Sequence, residues 1–412
     1  MEQDIAVGLD IGTTKVCAIV ASTDDNYPGK LKILGIGKST SEGLTRGVVT
    51  NIEKTVRSIQ SAVQDAEQQS GVEISSVTVG IAGDHIQSFQ SRGVISISRP
   101  ENEITQDDID RLIEDTKRVA LPLDRKIIHV IPQQFIVDGQ DSIYDPIGMS
   151  GVRMEAIVHI ITGLVTAAQN IYKCVQRAGL HVNDMVLEPL ASSYAVLDDE
   201  EKEVGVALLD IGGGTTDLAV FEERTIRHTA VIGIAGKKVT DDIRKGFGIL
   251  TDQAERIKVE YGFTYEPAIV DNQLIQIPGI GGRAPLDIDK HLLCKVIQPR
   301  MEEILEFAAM EIKRSGYSKH LSAGVVLTGG GSLIKGTADL AKDVLGMPVK
   351  IGIPGGFSSG LVREIENPIY ATGVGLVMHE LKHRDRSGIK AVIQDGKGRT
   401  IFQKMKSWFD EL

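Results

Sequence analysis

The sequence predicts an α/β protein of two related lobes with a small α/β subdomain inserted in the first. Three observations carry that prediction. At 412 residues the chain is too long for one ordinary core and implies two or three domains. The tetrapeptide Leu-Asp-Ile-Gly occurs at 9–12 and again at 209–212, each time inside an apolar, β-branched run. Between the two copies, residues 84–161 carry a helix and strands of their own.

The first element is "VGLDIGTTKVCAIV", and its echo is "LLDIGGGTTDLAVF". A P-loop or a dinucleotide-binding fingerprint enters a helix after its glycines, because the helix N-terminus supplies the amide donors. Here "TTKVCAIV" and "TTDLAVF" alternate like strands, so each motif is expected to be a β-hairpin with a glycine-rich tip. Such a tip lets consecutive N–H groups point at one anion. Gly12, Gly212, Gly213 and Gly214 supply the approach, Thr13, Thr14, Thr215 and Thr216 supply hydroxyls, and Lys15 supplies a positive charge. Asp10, Asp210 and Asp217 would repel a bare phosphate. They fit if a hydrated Mg²⁺ lies between them and a triphosphate, held through water.

The insert contains "ITQDDIDRLIEDTKRVA", a helix with Thr105 as its N-cap and acids in its first turn. Strand-like "KIIHVIPQQFIVDG" and "SGVRMEAIVHIITG" follow. The most apolar stretch, residues 156–168, is too short to cross a bilayer. With no basic region and apolar run at the N-terminus, no signal peptide is expected, and the chain is placed on the cytoplasmic side.

Composition narrows the function classes. A net charge of −11 disfavours nucleic acid as a partner. The three cysteines are far apart, which suits buried thiols better than a disulfide framework. Two motifs are set aside. "GIGKST" ends like a P-loop, but Lys32 stands where its first glycine is required. "HELKH", at 379–383, matches a zinc-protease pattern without a clear third ligand, and is taken as a helix terminus with cationic residues.

The paired hairpins resemble the phosphate loops of the actin, sugar-kinase and DnaK-type chaperone superfamily. "LTGGGSLIKG" resembles its adenosine motif, with Gly329, Gly330 and Gly331 packing against base and ribose. "DQAERIKVEYG" resembles the helix that reaches the nucleoside, with Glu255 and Lys258 on one face. Gly236 and Lys237 of "IAGKKVTDDI" join this cofactor-binding set. "VLEPLASSYAVL" resembles the first connecting helix. Its Glu188 is a candidate for orienting the attacking water, or else a first-turn carboxylate favoured by the helix dipole. The resemblance implies an actin-like (ribonuclease H-like) two-lobed ATPase fold with duplicated βαβ lobes, and ATP and Mg²⁺ as cofactors. Whether ATP is hydrolysed fast, slowly or incidentally is left open.

"IPQQFIVDG", "GMSGVRMEAIVHIITG", "ASSYAVL" and "RHTAVIGIAGKKVTDDI" resemble, in order and across nearly the whole chain, the bacterial cell-division family FtsA. That resemblance implies self-association into filaments and anchoring of the tubulin-like protein FtsZ to the cytoplasmic membrane at the division site. Other divisome membrane proteins would be met through the insert. The FtsZ tail would dock on the second lobe's small subdomain, with Arg300 of "VIQPR" as a contact for an acidic peptide or simply a surface arginine near a helix start. The expected division is 1–83 and 162–191 for the first-lobe core, 84–161 for the insert, 192–226 and 301–382 for the second-lobe core, and 227–300 for its small subdomain. A small-molecule kinase of the same superfamily is the alternative.

The tail answers the membrane question. Residues 383–398 are charged and interrupted by glycines, as a flexible linker would be. In 399–412, placed on a helix, Ile401, Phe402, Met405, Trp408, Phe409 and Leu412 fall within an arc of roughly 120°, flanked by Lys404 and Lys406. Such a segment suits the surface of an anionic membrane, or else docks on its own core. Ordering it costs about 1–2 kcal/mol per residue in backbone entropy, against roughly 1.5–3 kcal/mol for each fully buried apolar side chain. One tail therefore binds weakly, and a filament bearing many tails binds firmly.

Overall fold

The computed structural model describes residues 4–98, 103–272, 274–279 and 284–393, with only the backbone for 384–393. The residues assigned to the membrane segment, Ile401, Phe402, Lys404, Met405, Lys406, Trp408, Phe409 and Leu412, lie outside these.

The first lobe begins with β1 (Ile5–Ile11), β2 (Lys15–Thr23) and β3 (Leu31–Thr40), an antiparallel meander. Two short strands, β4 (Leu44–Thr45) and β5 (Val48–Val49), lead to α1 (Ile52–Ser70) and β6 (Ser76–Ile81). Helix α1 starts where Asn51 accepts from the Lys54 N–H and stops at Gly71, whose φ of 68° closes the last turn. Its buried Val56, Ile59, Ala62, Val63 and Ala66 follow the helical period and cover the sheet.

The insert comprises β7 (Gln87–Ser96), α2 (Gln106–Thr116), β8 (Arg125–Val137), β9 (Gln140–Ile143) and β10 (Arg153–Leu164). The strands form one antiparallel sheet in the order β7-β10-β8-β9. Thr105 caps α2 as expected, with Asp108 accepting from both its N–H and its hydroxyl. The chain returns through α3 (Val165–Arg177) and β11 (His181–Leu187), then α4 (Glu188–Val196) and α5 (Asp199–Val204).

The second lobe repeats the plan. Strands β12 (Val206–Ile211), β13 (Thr216–Glu222) and β14 (Thr225–Ile232) form the meander. Next come α6 (Gly236–Phe247), α7 (Thr251–Tyr261), the small hairpin of β15 (Leu274–Ile277) and β16 (Leu286–Asp289), and α8 (Lys290–Arg314). Strand β17 (Val325–Thr328), α9 (Thr337–Leu345) and β18 (Val349–Ile351) complete the lobe. Its sheet order, β18-β17-β12-β13-β14, matches β11-β6-β1-β2-β3 of the first lobe strand for strand. The duplication suggested by the repeated tetrapeptide is therefore a duplication of topology.

Several expected boundaries move. Strand β19 (Phe357–Gly360) pairs with β3 and joins the first lobe's sheet, although residues 301–382 were assigned to the second lobe. After the short α10 (Val362–Ile365), α11 (Ala371–Ile393) packs on β1, β2, β6 and α4. Its Val374 and Val377 share one core with Ile19 of the first lobe and Leu208 and Phe221 of the second, so the lobes are joined by buried apolar surface. A boundary at 191 would cut α4, one at 226 would cut β14, and one at 300 would cut α8. The linker expected over 383–398 is helical as far as Ile393, where α11 ends, and its remaining residues lie outside the described ones. Gly388 inside that helix costs about 1 kcal/mol relative to alanine, which a helix already anchored by packing tolerates.

The discarded motifs have structural roles. "GIGKST" is the end of β3. His379 meets Asp184 Oδ2 at 3.1 Å, His383 Nδ1 bonds the His379 carbonyl at 2.8 Å, and the two rings stack at 4.0 Å.

Candidate nucleotide cleft between the lobes

Each glycine motif is a hairpin with a four-residue tip, closed by the same bond. Gly12 N–H donates to the Lys15 carbonyl and Gly212 N–H to the Thr215 carbonyl, both at 3.0 Å. The tips meet. A Cβ on Gly213 would lie 2.3 Å from Thr14 Cγ2, and one on Gly214 would lie 2.4 Å from Thr13 Oγ1. Only glycine permits that approach at 213 and 214. Thr14 is exposed at the contact, while the Thr13 hydroxyl accepts from Gly47 N–H at 3.3 Å.

Behind the tips stand four carboxylates. Asp10, Asp210 and Asp217 are buried and Glu188 is half-buried at the first turn of α4. Burial, and after it Asp10, Asp217 and Asp210, hold Glu188 well above the usual carboxylate range. Burial and then Asp210 push Asp217 up to about 8. Asp210 rises to about 6, chiefly by burial, although a bond from Ser192 opposes the shift. Among the described residues Lys15 is the cation that acts on this set: burial works against its charge, but Asp10 at 3.4 Å prevails and raises its pKa. Asp217 Oδ1 is buried with no partner. The raised pKa values mean that these crowded carboxyls hold on to protons when no cation is near, and that a cation among them would let them ionise. Among the described residues no three His, Cys, Asp or Glu side chains are placed to hold a metal ion themselves.

The remaining expected residues fall around the second tip. Gly236 N–H donates to the Gly212 carbonyl at 3.1 Å and Lys237 N–H to the Gly213 carbonyl at 2.8 Å, so the start of α6 braces the loop. Lys258 Nζ reaches Glu255 Oε2 at 2.8 Å, Thr240 Oγ1 at 2.9 Å and the Gly236 carbonyl at 3.3 Å, which ties α7 to α6. Gly329, Gly330 and Gly331 follow β17, with Gly330 exposed. A Cβ on Gly329 would lie 2.2 Å from Asp210 Oδ1, and one on Gly331 2.3 Å from Ile211 Cγ2. Gly329 and Gly331 are thus packed against the end of β12, just before the second tip.

The roles expected of Thr216, Thr215 and Arg300 need correction. The Thr216 hydroxyl is not a free donor: the residue is fully buried and the hydroxyl donates to the Ile234 carbonyl at 2.8 Å. The Thr215 hydroxyl donates to Asp217 Oδ2 at 3.0 Å. Arg300 is in the body of α8 and its guanidinium grips Asp242 through two nitrogens, at 2.6 and 3.3 Å, while also pairing with Glu303. Those bonds, Asp242 first, raise its pKa, and they leave it a structural partner of α6 instead of a free contact for an acidic peptide. Sequence reasoning missed Ser192 and Thr372, whose hydroxyls donate to Asp210 Oδ2 at 2.9 and 3.4 Å. Their separation of 180 positions carries no local signal. Gly80 was also missed: a Cβ there would lie 3.0 Å from Glu188 Cγ.

The comparisons with known proteins agree with this architecture. The sequence profile described as "Cell division protein FtsA" matches residues 207–375, and the "SHS2 domain inserted in FTSA" matches 83–162. The chain is 43% identical to the cell division protein FtsA of Pseudomonas aeruginosa, over 98% of this chain and 96% of that one. It is 39% identical to FtsA of Escherichia coli K12, with 91% and 90% covered, and 37% identical to that of Bacillus subtilis, with 94% and 86% covered. Among solved structures, a PilM-PilN type IV pilus biogenesis complex matches with a TM-score of 0.66 at 17% identity, covering 91% of this chain and 98% of that one. MreB5 of Spiroplasma citri bound to ADP matches with a TM-score of 0.55 at 15% identity, covering 96% and 100%. The fold is the actin-like one, and with relatives this similar over nearly their whole length, the chain belongs to the FtsA family of cell-division proteins.

Proposed function

We propose that this chain binds ATP with Mg²⁺ between its lobes, assembles into actin-like filaments, and tethers FtsZ to the cytoplasmic face of the membrane through residues 399–412. The observation that carries the nucleotide reading is the contact of two glycine tips in front of four crowded carboxylates. Backbone N–H groups of both tips, the Thr14 hydroxyl and Lys15 grip the phosphates from two sides. When bound, Mg²⁺ supplies the positive charge between phosphates and carboxylates, held through water by Asp10, Asp210 and Asp217. Glu255, Lys258 and Gly329–Gly331 serve the nucleoside. Glu188 orients the attacking water, and any turnover is slow, because the nucleotide works first as a ligand that holds the lobes together.

The membrane reading rests on the apolar arc of 399–412 and the lysines at its edges. No helix among the described residues is long and apolar enough to cross a membrane. Filaments raise the effective concentration of tails, so nucleotide state governs attachment by governing assembly. The FtsZ tail docks on the small subdomain of α6, α7 and the β15–β16 hairpin, and other divisome proteins meet the insert. Nothing in the similarity along the whole chain favours a small-molecule kinase.

Trp408 is the only tryptophan, so its emission reports on the tail alone. A blue shift on adding anionic liposomes that grows with Mg-ATP is the expected result. An unchanged spectrum would remove the membrane anchor from this reading.

A further inference from the structure

The corner where β11 becomes α4 aims Glu188 into the cleft, yet its N-cap residue, Leu187, has no side chain able to cap a helix. N–H groups at a helix start have no intrahelical acceptor and need one from elsewhere. At Leu187 it comes from outside the lobe core: the N–H donates to Nε2 of His129, at 3.0 Å. His129 is on β8, in the insert, paired with Ile161 of β10. For Nε2 to accept, the ring must be neutral with its proton on Nδ1. Burial supplies that condition by pushing the ring's pKa down to about 4, with His379 and His383 of α11 adding to the shift and Asp184 of β11 opposing it.

On the other side, Gly80 of β6 leaves room for the Glu188 side chain. Glu188 thus packs against Gly80 of the lobe core, while the residue before it, Leu187, is held through its N–H by an imidazole of the insert.

We infer that His129 is a positioning residue for Glu188, through which the placement of the inserted subdomain is read at the hydrolytic centre. A shift of the insert that draws His129 away frees the Leu187 N–H and loosens the first turn of α4. Nucleotide binding is spared, because neither tip nor α6 is touched. The inference rests on the role given to Glu188 above.

The test uses the full chain with ATP and Mg²⁺. His129→Leu removes the acceptor, and His129→Gln restores one at the reach of Nε2. Nucleotide affinity, single-turnover hydrolysis and hydrogen exchange of the Leu187 amide are measured for each. The expected result for His129→Leu is unchanged affinity, hydrolysis slowed on the order of tenfold as for a small misplacement of a catalytic group, and faster exchange at Leu187. His129→Gln recovers the hydrolysis rate and the protection of the Leu187 amide, again with unchanged affinity. Should His129→Leu not fold, His129→Asn, polar but too short, gives the same comparison. In a Glu188→Gln background the His129 change adds no further loss.

Normal hydrolysis in Glu188→Gln would overturn the role of Glu188 itself. A slow Glu188→Gln beside a His129→Leu of normal rate would overturn only the positioning role.

Discussion

Gly214→Ala tests whether the two tips grip one ligand. The added methyl would lie 2.4, 2.8 and 2.9 Å from the three side-chain atoms of Thr13, where ordinary contact begins at 3.4 Å. The tips must therefore part by about 1 Å, or Thr13 must leave its rotamer and its bond with Gly47. Overpacking of this kind costs about 1–3 kcal/mol. If ATP requires both tips at once, that cost falls on the bound state, and affinity drops about 5- to 150-fold. Titration calorimetry with ATP and Mg²⁺ measures the loss, and thermal unfolding without nucleotide shows whether the fold also suffers. Thr13→Gly removes all three clashing atoms, so in a double-mutant cycle it restores most of what Gly214→Ala loses, relative to Thr13→Gly alone. ATP affinity within twofold of the unmodified protein would refute the two-sided clamp. So would a cycle in which the two changes simply add.

Other consequences follow from the same geometry. Asp217 titrates near 8 in the folded chain and near 3.8 when unfolded, so the folded state holds its proton more tightly and apo stability falls as pH rises between those values. Asp217→Asn should flatten that fall in thermal melts from pH 4 to pH 8, raising the apo melting temperature at pH 8, while ATP binding loses its dependence on Mg²⁺. Gly375→Ala should prevent folding or cost at least about 3 kcal/mol in urea denaturation, because its Cβ would lie 1.8 Å from the Ala191 carbonyl where α11 crosses α4. Arg300→Ala should cost on the order of 1 kcal/mol, with little added by Asp242→Ala, since the pair is partly exposed and internal. A loss of FtsZ-tail affinity in Arg300→Ala without any loss of stability would return Arg300 to the docking surface.

What the sequence determined is local. The tips were legible because glycine and threonine between β-branched runs permit few backbones, and the repeat at 9–12 and 209–212 marked the duplication before any sheet order was known. The helix capped by Thr105 and the strands of the insert follow from the same short-range rules. Tertiary structure decided what depends on partners distant in sequence. Ser192 and Thr372 meet at Asp210, β19 crosses to the first lobe's sheet, and Asp242 occupies the guanidinium of Arg300. Periodicity specifies which face of an element is apolar, not which other element will cover it. A polar side chain's role is fixed by whichever partner the fold brings within 3 Å or so, and that choice is made only when the lobes, insert and last helix pack together.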